Sequence, residues 1–366
     1  MRKLRVAATV AVLLAGSLAL AACSSGGSTT PSPTSSTGAA ENVTGTIHIG
    51  QFGGSLGDAI MSIKGDFEAK YPGVTVTSEN TAAAPLITSL IAQRNQSQGA
   101  FDLIMTSAEG HLQLKDAGIL QKLDNTKVPA LADIPAALKP AGGYAPIGFF
   151  TIGIAYNKAS LKKAGAPVPK SWDDLWNPAY KGHVILQTFA GAANLNVLLD
   201  ILWTEEGSLA KAEKKLGTLF PNVGPIVTTQ PELETALSAG DPGWLAISNS
   251  SRAGLVAASG TPLGYVLPTK PAAGSWVMSL DVPKNAPNKA AAYAFINFLL
   301  QPAEQEKISK AGYFSPANPA AKVDPSIADW AISADKAAKL YQPNWQRQVD
   351  SQPDIDTWFN QALKSS

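Results

Sequence analysis

In the glycine-rich stretch at residues 51–59, QFGGSLGDA, a serine and its neighbouring glycines have a spacing that is found around catalytic nucleophiles. Gly53, Ser55 and Gly57 fit the pattern G-x-S-x-G. In one class of hydrolases that pattern holds a nucleophilic serine in a strained turn between a strand and a helix. A strand pattern at 46–49 precedes it, and a helical pattern follows. The spacing therefore leaves three roles open: a catalytic Ser55, a ligand-binding loop, or a tight structural turn.

Catalysis by Ser55 would need a base, and the chain has three histidines, His48, His111 and His183. His48 lies in the strand pattern just before Ser55, His111 begins a helix that we predict to lie at the surface, and His183 opens a later strand. A nucleophile elbow normally follows several strands, whereas one strand pattern precedes Ser55 here. We therefore predict that the protein is not an enzyme.

The same loop is better suited to binding without reaction. Its spacing is not G-x-G-x-x-G, so a dinucleotide site is excluded. The backbone N–H groups of Gly53 and Gly54 and the hydroxyl of Ser55 lie at a predicted helix start, where the helix dipole favours polar or anionic groups. We expect this loop to contact a small-molecule ligand.

The elements around this loop alternate between strand and helix, which predicts α/β architecture with largely parallel sheets. The apolar run 144–157 is too long for one ordinary strand, so we interpret it as a strand that leaves one lobe and enters a second. The run 274–283 is interpreted as the return crossing. Two crossings form a hinge beside an interlobe cleft. The predicted division is 44–149 for lobe one, 150–275 for lobe two, and 276–366 for the return to lobe one and the C-terminal helices.

The first 22 residues indicate export. A basic start, MRKLR, precedes 17 apolar or small uncharged residues, 6–22, and Cys23 follows directly. This is the pattern of a signal peptide, although the apolar run is also close to the minimum for an uncleaved membrane anchor. The end of the segment, Leu20-Ala21-Ala22-Cys23, resembles the lipobox of bacterial lipoproteins. That resemblance implies cleavage before Cys23, a lipid on its thiol, and anchoring on the outer face of the cell membrane or in the periplasm.

Composition narrows the remaining choices. Cys23 is the only cysteine, which excludes an internal disulfide or a thiolate metal cluster. Residues 23–43 are rich in Ser, Gly, Thr and Pro, which predicts a disordered tether. Without the signal the chain has 26 basic and 28 acidic residues, and it has no basic block, so nucleic acid is not an expected partner. We predict no cofactor and no metal. The remaining chain of about 320 residues favours two lobes.

Segments along the whole folded chain resemble a known family, the extracellular solute-binding proteins of bacterial ABC importers, and most closely the spermidine/putrescine-binding type. The resemblance lies in FDLIMTSAEGHLQLKDAGILQKLD (101–124), SWDDLWNPAYKG (171–182), LFPNV (219–223), SGTPLGYVLP (259–268) and the run 279–321. It implies a two-lobed periplasmic-binding-protein-like fold, one cleft ligand, and delivery to the permease subunits of an importer by a monomer.

The resemblance also implies which residues line the cleft. The turn Ser107-Ala108-Glu109 matches a cleft turn that carries an aromatic residue in polyamine binders, and Glu109 here could pair with an ammonium group or simply favour its helix dipole. Trp276 matches a tryptophan that stacks on the ligand, and packing at the hinge is the alternative. Phe52 and Phe149 fall at or near other aromatic positions of the family, although core packing is an equal alternative for Phe149. The segment ISNSSRAG adds Asn249, Ser250 and Arg252 as cleft candidates.

Two departures from the family argue against a polyamine ligand. Met278 stands where polyamine binders have an aspartate, and strand alternation turns the nearby Asp281 to the opposite face. The stretch 187–194, QTFAGAAN, lacks the acids that the family places there. Because a buried diammonium needs carboxylates at both ends, we expect a small amine or an anionic amino compound, such as an amino-acid derivative, an aminophosphonate or an opine. Ferric iron is not favoured, since no two tyrosines are adjacent.

Three classes of function remain open. The first is a lipid-anchored receptor that captures a solute for an ABC importer. The second is a sensor or signalling lipoprotein with the same fold, which the sequence does not separate from the first. The third is a hydrolase that uses Ser55.

Overall fold

Two central strands, β4 (Ala145–Asn157) and β9 (Gly274–Asp281), hold the two halves of the protein together. They are described in a computed structural model that covers residues 43–52, 55–139, 142–189 and 193–365. Over these residues nine strands form one curled sheet in the order β2-β1-β3-β9-β4-β7-β5-β6, and β8 pairs with β4. The sequence prediction of an α/β fold with two crossings is confirmed.

Lobe one contains the strands on the β2 side of this sheet and the helices that cover them. Its strands are β1 (Gly45–Gln51), β2 (Val74–Asn80) and β3 (Leu103–Ser107). Its helices are α1 (Ser55–Met61), α2 (Lys64–Lys70), α3 (Ala83–Ala92), α4 (Ala108–Asp116), α10 (Lys289–Leu299) and α11 (Pro302–Gly312). The three strands pair in parallel, and β3 then pairs antiparallel with β9.

Lobe two contains the strands on the β6 side. Its strands are β5 (Val184–Gln187), β6 (Val223–Val227), β7 (Leu245–Asn249) and β8 (Leu263–Val266). Its helices are α5 (Lys158–Ala164), α6 (Ala193–Glu206), α7 (Leu209–Gly217), α8 (Gln230–Ala239) and α9 (Ser250–Ala258). The parallel strands β6, β5 and β7 end in antiparallel pairing with β4. A last helix, α12 (Trp345–Ser365), follows lobe one in the chain.

The register of β4 explains how one strand serves two lobes. Residues 145–152 pair with β9, whereas residues 152–157 pair with β7 and β8. Thirteen residues at about 3.3 Å each are long enough to cross from one sheet half to the other. The strand is buried along almost its whole length, which is why its sequence is apolar without alternation.

Each lobe has a core on both faces of its sheet. In β3, Leu103 and Met105 pack with the helices on one face, and Ile104 packs in a separate cluster on the other. Strands covered on both faces produce the continuous apolar runs that identified them in the sequence. The helical pattern that follows the glycine loop forms two helices, α1 and α2, with a break at 62–63.

Helix α6 has no counterpart in the sequence interpretation. Nine consecutive residues, 194–202, are buried in this helix. A helix that is buried all round shows no polar stripe, so it lacks the amphipathic period by which the other helices were recognised. Helix α6 begins beside the central strands and positions residues of the candidate site.

Helix α12 is fixed to lobe two by a buried carboxylate. Asp200 of α6 is 0% exposed and accepts hydrogen bonds from Tyr341 Oη (2.7 Å), Arg347 Nε (2.6 Å) and Gln348 Nε2 (3.0 Å). The backbone N–H of residue 344 donates to the same carboxylate at 2.9 Å. Helix α12 packs with the core around α6 and also contacts α4 of lobe one, so it bridges the two lobes, and the predicted lobe division stays a proposal.

The expectations for the N-terminal segment lie outside the described residues. They are the signal peptide at 1–22, the lipid on Cys23 and all of the tether at 23–43 except Val43. Within the described ranges, no helix combines the length and the apolar character that crossing a bilayer requires.

The Asp200 network predicts a large effect of one substitution. Arg347→Met leaves a fully buried carboxylate without its cation, so we expect the free energy of unfolding to fall by about 3 kcal/mol. Urea denaturation of the purified protein measures this loss. Lys310→Met is the matched control, because it removes an exposed pair with Asp324 (2.9 Å) and is expected to cost less than about 1 kcal/mol. Equal losses in the two variants would contradict the assigned role of the network.

Candidate functional site

Two adjoining cavities lie between the lobes. The small chamber has a volume of about 190 Å³, and the large chamber has a volume of about 800 Å³. Both are lined by Phe52, Ala193 and Trp276, so they form one continuous cleft. Lobe one and lobe two each contribute walls, and the crossing strands contribute the floor.

Several helices begin at the walls of this cleft. Ala83 of α3 and Glu109 of α4 line the large chamber from lobe one. Ala193 of α6, Gln230 of α8 and Ser251 of α9 line the small chamber from lobe two. Each helix start presents backbone N–H groups and a partial positive charge. Five such starts favour a ligand that carries an anionic or electron-rich group.

An aromatic pair on the crossing strands forms the apolar part of the site. Phe150 of β4 is the register partner of Trp276 of β9, and their rings stack with centroids 5.0 Å apart and an interplanar angle of 13°. Both residues line the small chamber together with Phe52. The structure therefore brings two of the predicted aromatic residues, Phe52 and Trp276, into the cleft.

The placement of Phe149 corrects the sequence interpretation. Phe149 is 0% exposed and packs in the core of lobe one. Successive side chains of a strand point to opposite faces, so Phe150 takes the cleft position and its neighbour does not. The sequence showed an aromatic pair at 149–150, and only the register with β9 decides which member faces the ligand.

Glu109 is an incompletely paired acid in the large chamber. Its Oε2 atom is buried and has no hydrogen-bond partner among the described residues. Burial raises the pKa of the Glu109 carboxyl above its ordinary value of 4.5, and the Ser107 hydroxyl and the Trp276 indole oppose this rise without cancelling it. The Trp276 Nε1 atom also has no partner within hydrogen-bond geometry in the described chain. Both groups are thus placed to contact a polar ligand.

Ser107 positions this corner of the cleft. Its Oγ accepts a hydrogen bond from the Gly110 backbone N–H at 3.2 Å, which caps the start of α4. Ser107 also lines the large chamber. A capping hydroxyl of this kind fixes the helix start from which Glu109 projects.

On the lobe-two wall, the predicted residues separate into two groups. Asn249 and Arg252 line the small chamber, and Asn249 Oδ1 accepts from the Arg252 backbone N–H at 2.9 Å to cap α9. Ser250 does not line either chamber: it is 0% exposed, and its Oγ accepts from the Thr151 backbone N–H at 3.3 Å. The assignment of Ser250 to the ligand is therefore wrong. Its neighbour Ser251 lines the chamber and donates its hydroxyl to the Gly312 carbonyl at 2.6 Å.

The charge of Arg252 is only partly compensated. Its Nη1 atom lies 3.6 Å from Glu234 Oε1 of α8, and both side chains are about one-quarter exposed, at 27% each. This separation exceeds a charge-assisted hydrogen bond. The guanidinium can therefore contact an anion in the small chamber without first losing a strong ion pair.

Several polar residues of the cleft were missed in the sequence. The Oε1 atom of Gln230 and the Oδ1 atom of Asn196 are buried and unpartnered within the described chain. Asn194 Nδ2 donates to Gln187 Oε1 at 3.1 Å and lines the small chamber. The two asparagines belong to α6, whose start was not predicted. The sequence analysis described the stretch 187–194 by its lack of acids. Its Gln and Asn could have indicated a polar wall of the cleft.

Met278 and Asp281, at the position where we expected a departure from polyamine binders, are both buried. Met278 is 0% exposed in the core of lobe one. Asp281 is also 0% exposed, and it accepts hydrogen bonds from Thr106 Oγ1 (2.5 Å) and His111 Nδ1 (2.7 Å). Among the described residues that line the two chambers, Glu109 and Arg252 alone carry charge. The cleft therefore presents one carboxylate and one guanidinium.

The glycine loop is only partly described. Gly53 and Gly54, and the side chain of Ser55, lie outside the described residues, while Phe52 and Leu56 on either side line the small chamber. No described histidine lines either chamber. His111 is buried at 2% exposure, which corrects the surface position predicted for it.

The other two histidines contact backbone carbonyls. His48 Nδ1 is 3.0 Å from Ala100 O, and His183 Nδ1 is 2.7 Å from Pro242 O. No group of three or more His, Cys, Asp or Glu residues in the described ranges is arranged to hold a metal ion.

A comparison with protein families identifies the chain. The sequence profile of the bacterial extracellular solute-binding proteins matches residues 63–335. The chain belongs to this family. It is a solute-binding protein of an ABC importer, and the family consists of extracellular or periplasmic substrate-binding proteins rather than enzymes.

Individual relatives agree with this assignment. The spermidine/putrescine-binding periplasmic protein of Escherichia coli K12 is 28% identical over 279 residues, which cover 73% of this chain and 78% of the relative. The spermidine/putrescine substrate-binding protein PotD of Streptococcus pneumoniae has the same fold, with a TM-score of 0.70 and 22% identity over 87% of this chain and 99% of its own. AfuA of Actinobacillus pleuropneumoniae, solved with fructose-6-phosphate, has a TM-score of 0.71 and 20% identity over 88% of this chain and 99% of its own.

The buried carboxyl of Glu109 gives a prediction about how the stability of the ligand-free protein depends on pH. Burial raises the pKa of this carboxyl above its ordinary value of 4.5. At a pH above 4.5 the carboxyl therefore ionises more readily in the unfolded chain than in the folded protein, and this difference destabilises the folded state. We expect Glu109→Gln to raise the free energy of unfolding by about 1 kcal/mol or more at pH 7. The gain should disappear as the pH falls below 4.5, where both states hold the proton. Thermal denaturation between pH 4 and pH 8 measures it.

Glu79→Gln serves as the control for this prediction, because Glu79 is an exposed acid on β2. We expect its stability change to stay within about 0.5 kcal/mol at every pH. A loss of stability at pH 7 in Glu109→Gln would show that the carboxylate is well satisfied in the fold.

Proposed function

We propose that the mature protein is a lipid-anchored receptor on the outer face of the cell membrane, and that it captures a small solute with an anionic group and an amine. The sequence around Cys23 supports the anchor, and the tether that follows would let the folded part move away from the membrane. The captured solute would pass to the permease subunits of an importer, to which the protein docks as a monomer.

The charge balance of the cleft carries the ligand proposal. Glu109 lies in the large chamber, and Arg252 lies in the small chamber. A diammonium ligand would leave one buried ammonium group without a carboxylate, which is costly. A ligand with one anionic and one cationic group satisfies both side chains.

The neutral groups of the cleft support the same orientation. The starts of α6, α8 and α9 surround the small chamber and favour negative charge. The stacked pair Phe150 and Trp276 offers a surface for an apolar stem between the charged ends. Amino-acid derivatives, aminophosphonates and opine-like compounds combine these features. AfuA, which has the same fold, was solved with the phosphorylated ligand fructose-6-phosphate, so the fold accommodates anionic solutes.

Lobe closure is the expected mode of capture. The two crossing strands are the covalent route between the lobes at the cleft, and a small rotation about them would bring Glu109 and Arg252 toward the same ligand. When a ligand binds only the closed state, its binding raises the population of that state, because the ligand has a higher affinity for it than for the open state. A signalling lipoprotein of the same fold would close in the same way, so a transport assay in cells distinguishes it from an importer component.

A thermal-shift screen tests the ligand class. The panel contains putrescine, spermidine, amino acids, aminophosphonates, opines and ferric citrate. A ligand at 100 times its Kd should add about 2.7 kcal/mol of stability. We expect an anionic amino compound to shift the melting temperature, and Arg252→Ala to remove the shift because the anion loses its guanidinium.

Arg94→Ala is the matched control for this screen. Arg94 follows α3 and donates from Nη1 to the Ile91 carbonyl at the protein surface, so the ligand-induced shift should be retained. A shift by polyamines alone would contradict the proposed ligand class and would require carboxylates in the cleft that the described residues do not provide.

The lipid anchor gives a separate prediction. Cys23→Ser removes the thiol that would be acylated, and we expect this variant to incorporate no labelled palmitate. Several acyl chains bind strongly, since each buried methylene contributes about 0.8 kcal/mol. Labelling of cells that express each form measures the change. Ser24→Ala is the control, and equal palmitate incorporation in Cys23→Ser would contradict lipid anchoring at this residue.

A further inference from the structure

The arginine of the small chamber has an acidic neighbour that lies outside the cleft. Glu234 of α8 lines neither chamber. Its Oε1 atom lies 3.6 Å from Arg252 Nη1 and accepts a hydrogen bond from Gln230 Nε2 at 3.3 Å. Arg252 and Gln230 both line the small chamber. One carboxylate therefore contacts two of the polar side chains to which the anionic end of the ligand is assigned.

This contact limits the positive charge that the small chamber offers. Arg252 is the charged residue in the described lining of that chamber, and Glu234 partly offsets its charge from behind. A carboxylate ligand adds one negative charge to this wall, whereas a phosphonate or phosphate group adds about two at neutral pH or above. Charge that is removed from water without compensation is costly. The wall therefore favours the anion with the smaller charge.

Side-chain hydrogen bonds at the small chamber support the same choice. The Ser251 hydroxyl donates its proton to a backbone carbonyl at 2.6 Å. Gln230 uses one amide N–H on Glu234, and Asn194 uses one on a neighbouring amide oxygen at 3.1 Å. A hydroxyl has one proton to donate and a side-chain amide has two. Part of the donor capacity of these described groups is thus already taken by the protein.

The helix starts at this wall have used backbone donors as well. At α9, the Arg252 backbone N–H donates to Asn249 Oδ1 at 2.9 Å. At α8, Pro231 has no N–H, and the Glu232 N–H donates to Thr229 Oγ1 at 3.4 Å. The Arg252 guanidinium remains as the charged donor of the described lining. Its planar fork matches the two oxygens of a carboxylate, whereas a phosphonate has a third oxygen to satisfy.

We propose that Glu234 is a specificity-determining residue, and that it makes the small chamber select a carboxylate over a dianionic phosphonate or phosphate. This role rests on the proposed function, since it requires the anionic end of the ligand to lie at Arg252. Of the ligand classes named there, it selects amino-acid derivatives and opine-like carboxylates over aminophosphonates. Glu234 acts through Arg252 and Gln230 and does not itself touch the ligand.

Matched ligand pairs test this selectivity by isothermal titration calorimetry of the purified protein. The pairs are β-alanine with 2-aminoethylphosphonate, γ-aminobutyrate with 3-aminopropylphosphonate, and alanine with 1-aminoethylphosphonate. Putrescine is included as the polyamine. The members of a pair share the amine and the stem and differ in the anion. At pH 8, where the phosphonate carries about two negative charges, we expect the carboxylate to bind about tenfold more tightly or better.

Glu234→Gln should change this selectivity in a way that depends on ligand charge. The amide oxygen can still accept from Gln230, whereas the negative charge beside Arg252 is lost. A Coulomb energy is proportional to the charge of the ligand, so the fold gain in affinity for a dianion should be the square of the gain for a monoanion. We expect about tenfold for the phosphonate and about threefold for the carboxylate. A purely structural role of Glu234 would change both affinities by the same factor.

Glu206→Gln is the matched control, because it removes an exposed carboxylate from the far end of α6 in lobe two. The fourteen residues of this helix place Glu206 about 20 Å from the chamber wall. This separation exceeds the Debye length of about 10 Å at 0.1 M ionic strength. We expect both affinities to stay within about twofold of the wild-type values.

The possible failures are distinguishable. Equal affinities within the pairs, or tighter binding of the phosphonates, would overturn the role of Glu234 and leave the proposed function intact. A change of both affinities by one factor in Glu234→Gln would do the same. Binding of putrescine alone would instead contradict the proposed function, and the role of Glu234 would be rejected with it.

Discussion

The antiparallel pairing of β4 with β9 is the contact on which the rest of the structure depends. It joins the parallel strands of lobe one to those of lobe two, so one continuous sheet serves both halves. It also sets Phe150 opposite Trp276 and thereby forms the aromatic floor of the cleft. A register shift of one residue would turn both rings away from the ligand and would point core residues into the cleft.

Four side chains that line the cleft have polar groups that the described chain leaves unsatisfied. Glu109, Trp276, Asn196 and Gln230 each have a buried atom without a partner in the described chain. Most buried polar groups in folded proteins are paired, because an unpaired one is costly. Here the unpaired groups lie together on walls from both lobes, which is what a site needs if its ligand supplies the missing partners. At these positions the unpaired groups lower the stability of the ligand-free protein, and the same groups raise its affinity for a ligand that pairs with them.

The chain combines the fold of its polyamine-binding relatives with a cleft whose described lining carries one carboxylate and one guanidinium. Trp276 stacks on Phe150, and Met278 is buried in the core of lobe one. On the opposite wall, amides and helix starts occupy the surface around Arg252. A two-lobed frame tolerates such exchange because the hinge and the cores are formed by apolar residues, and the cleft side chains contribute little to them.

The fold class and the two crossing strands could be predicted from the sequence, and the family resemblance made Phe52, Glu109 and Trp276 candidates for the cleft, but the structure was needed to show that these residues and Arg252 line it. Long apolar runs and helix-start patterns are local features, so they can be recognised without the fold. The tertiary structure alone decided between neighbouring residues, because strand register and helix rotation set which side chain faces a cavity. For this reason Phe150 lines the cleft and Phe149 does not. It likewise revealed α6, whose fully buried sequence has no polar face to mark it.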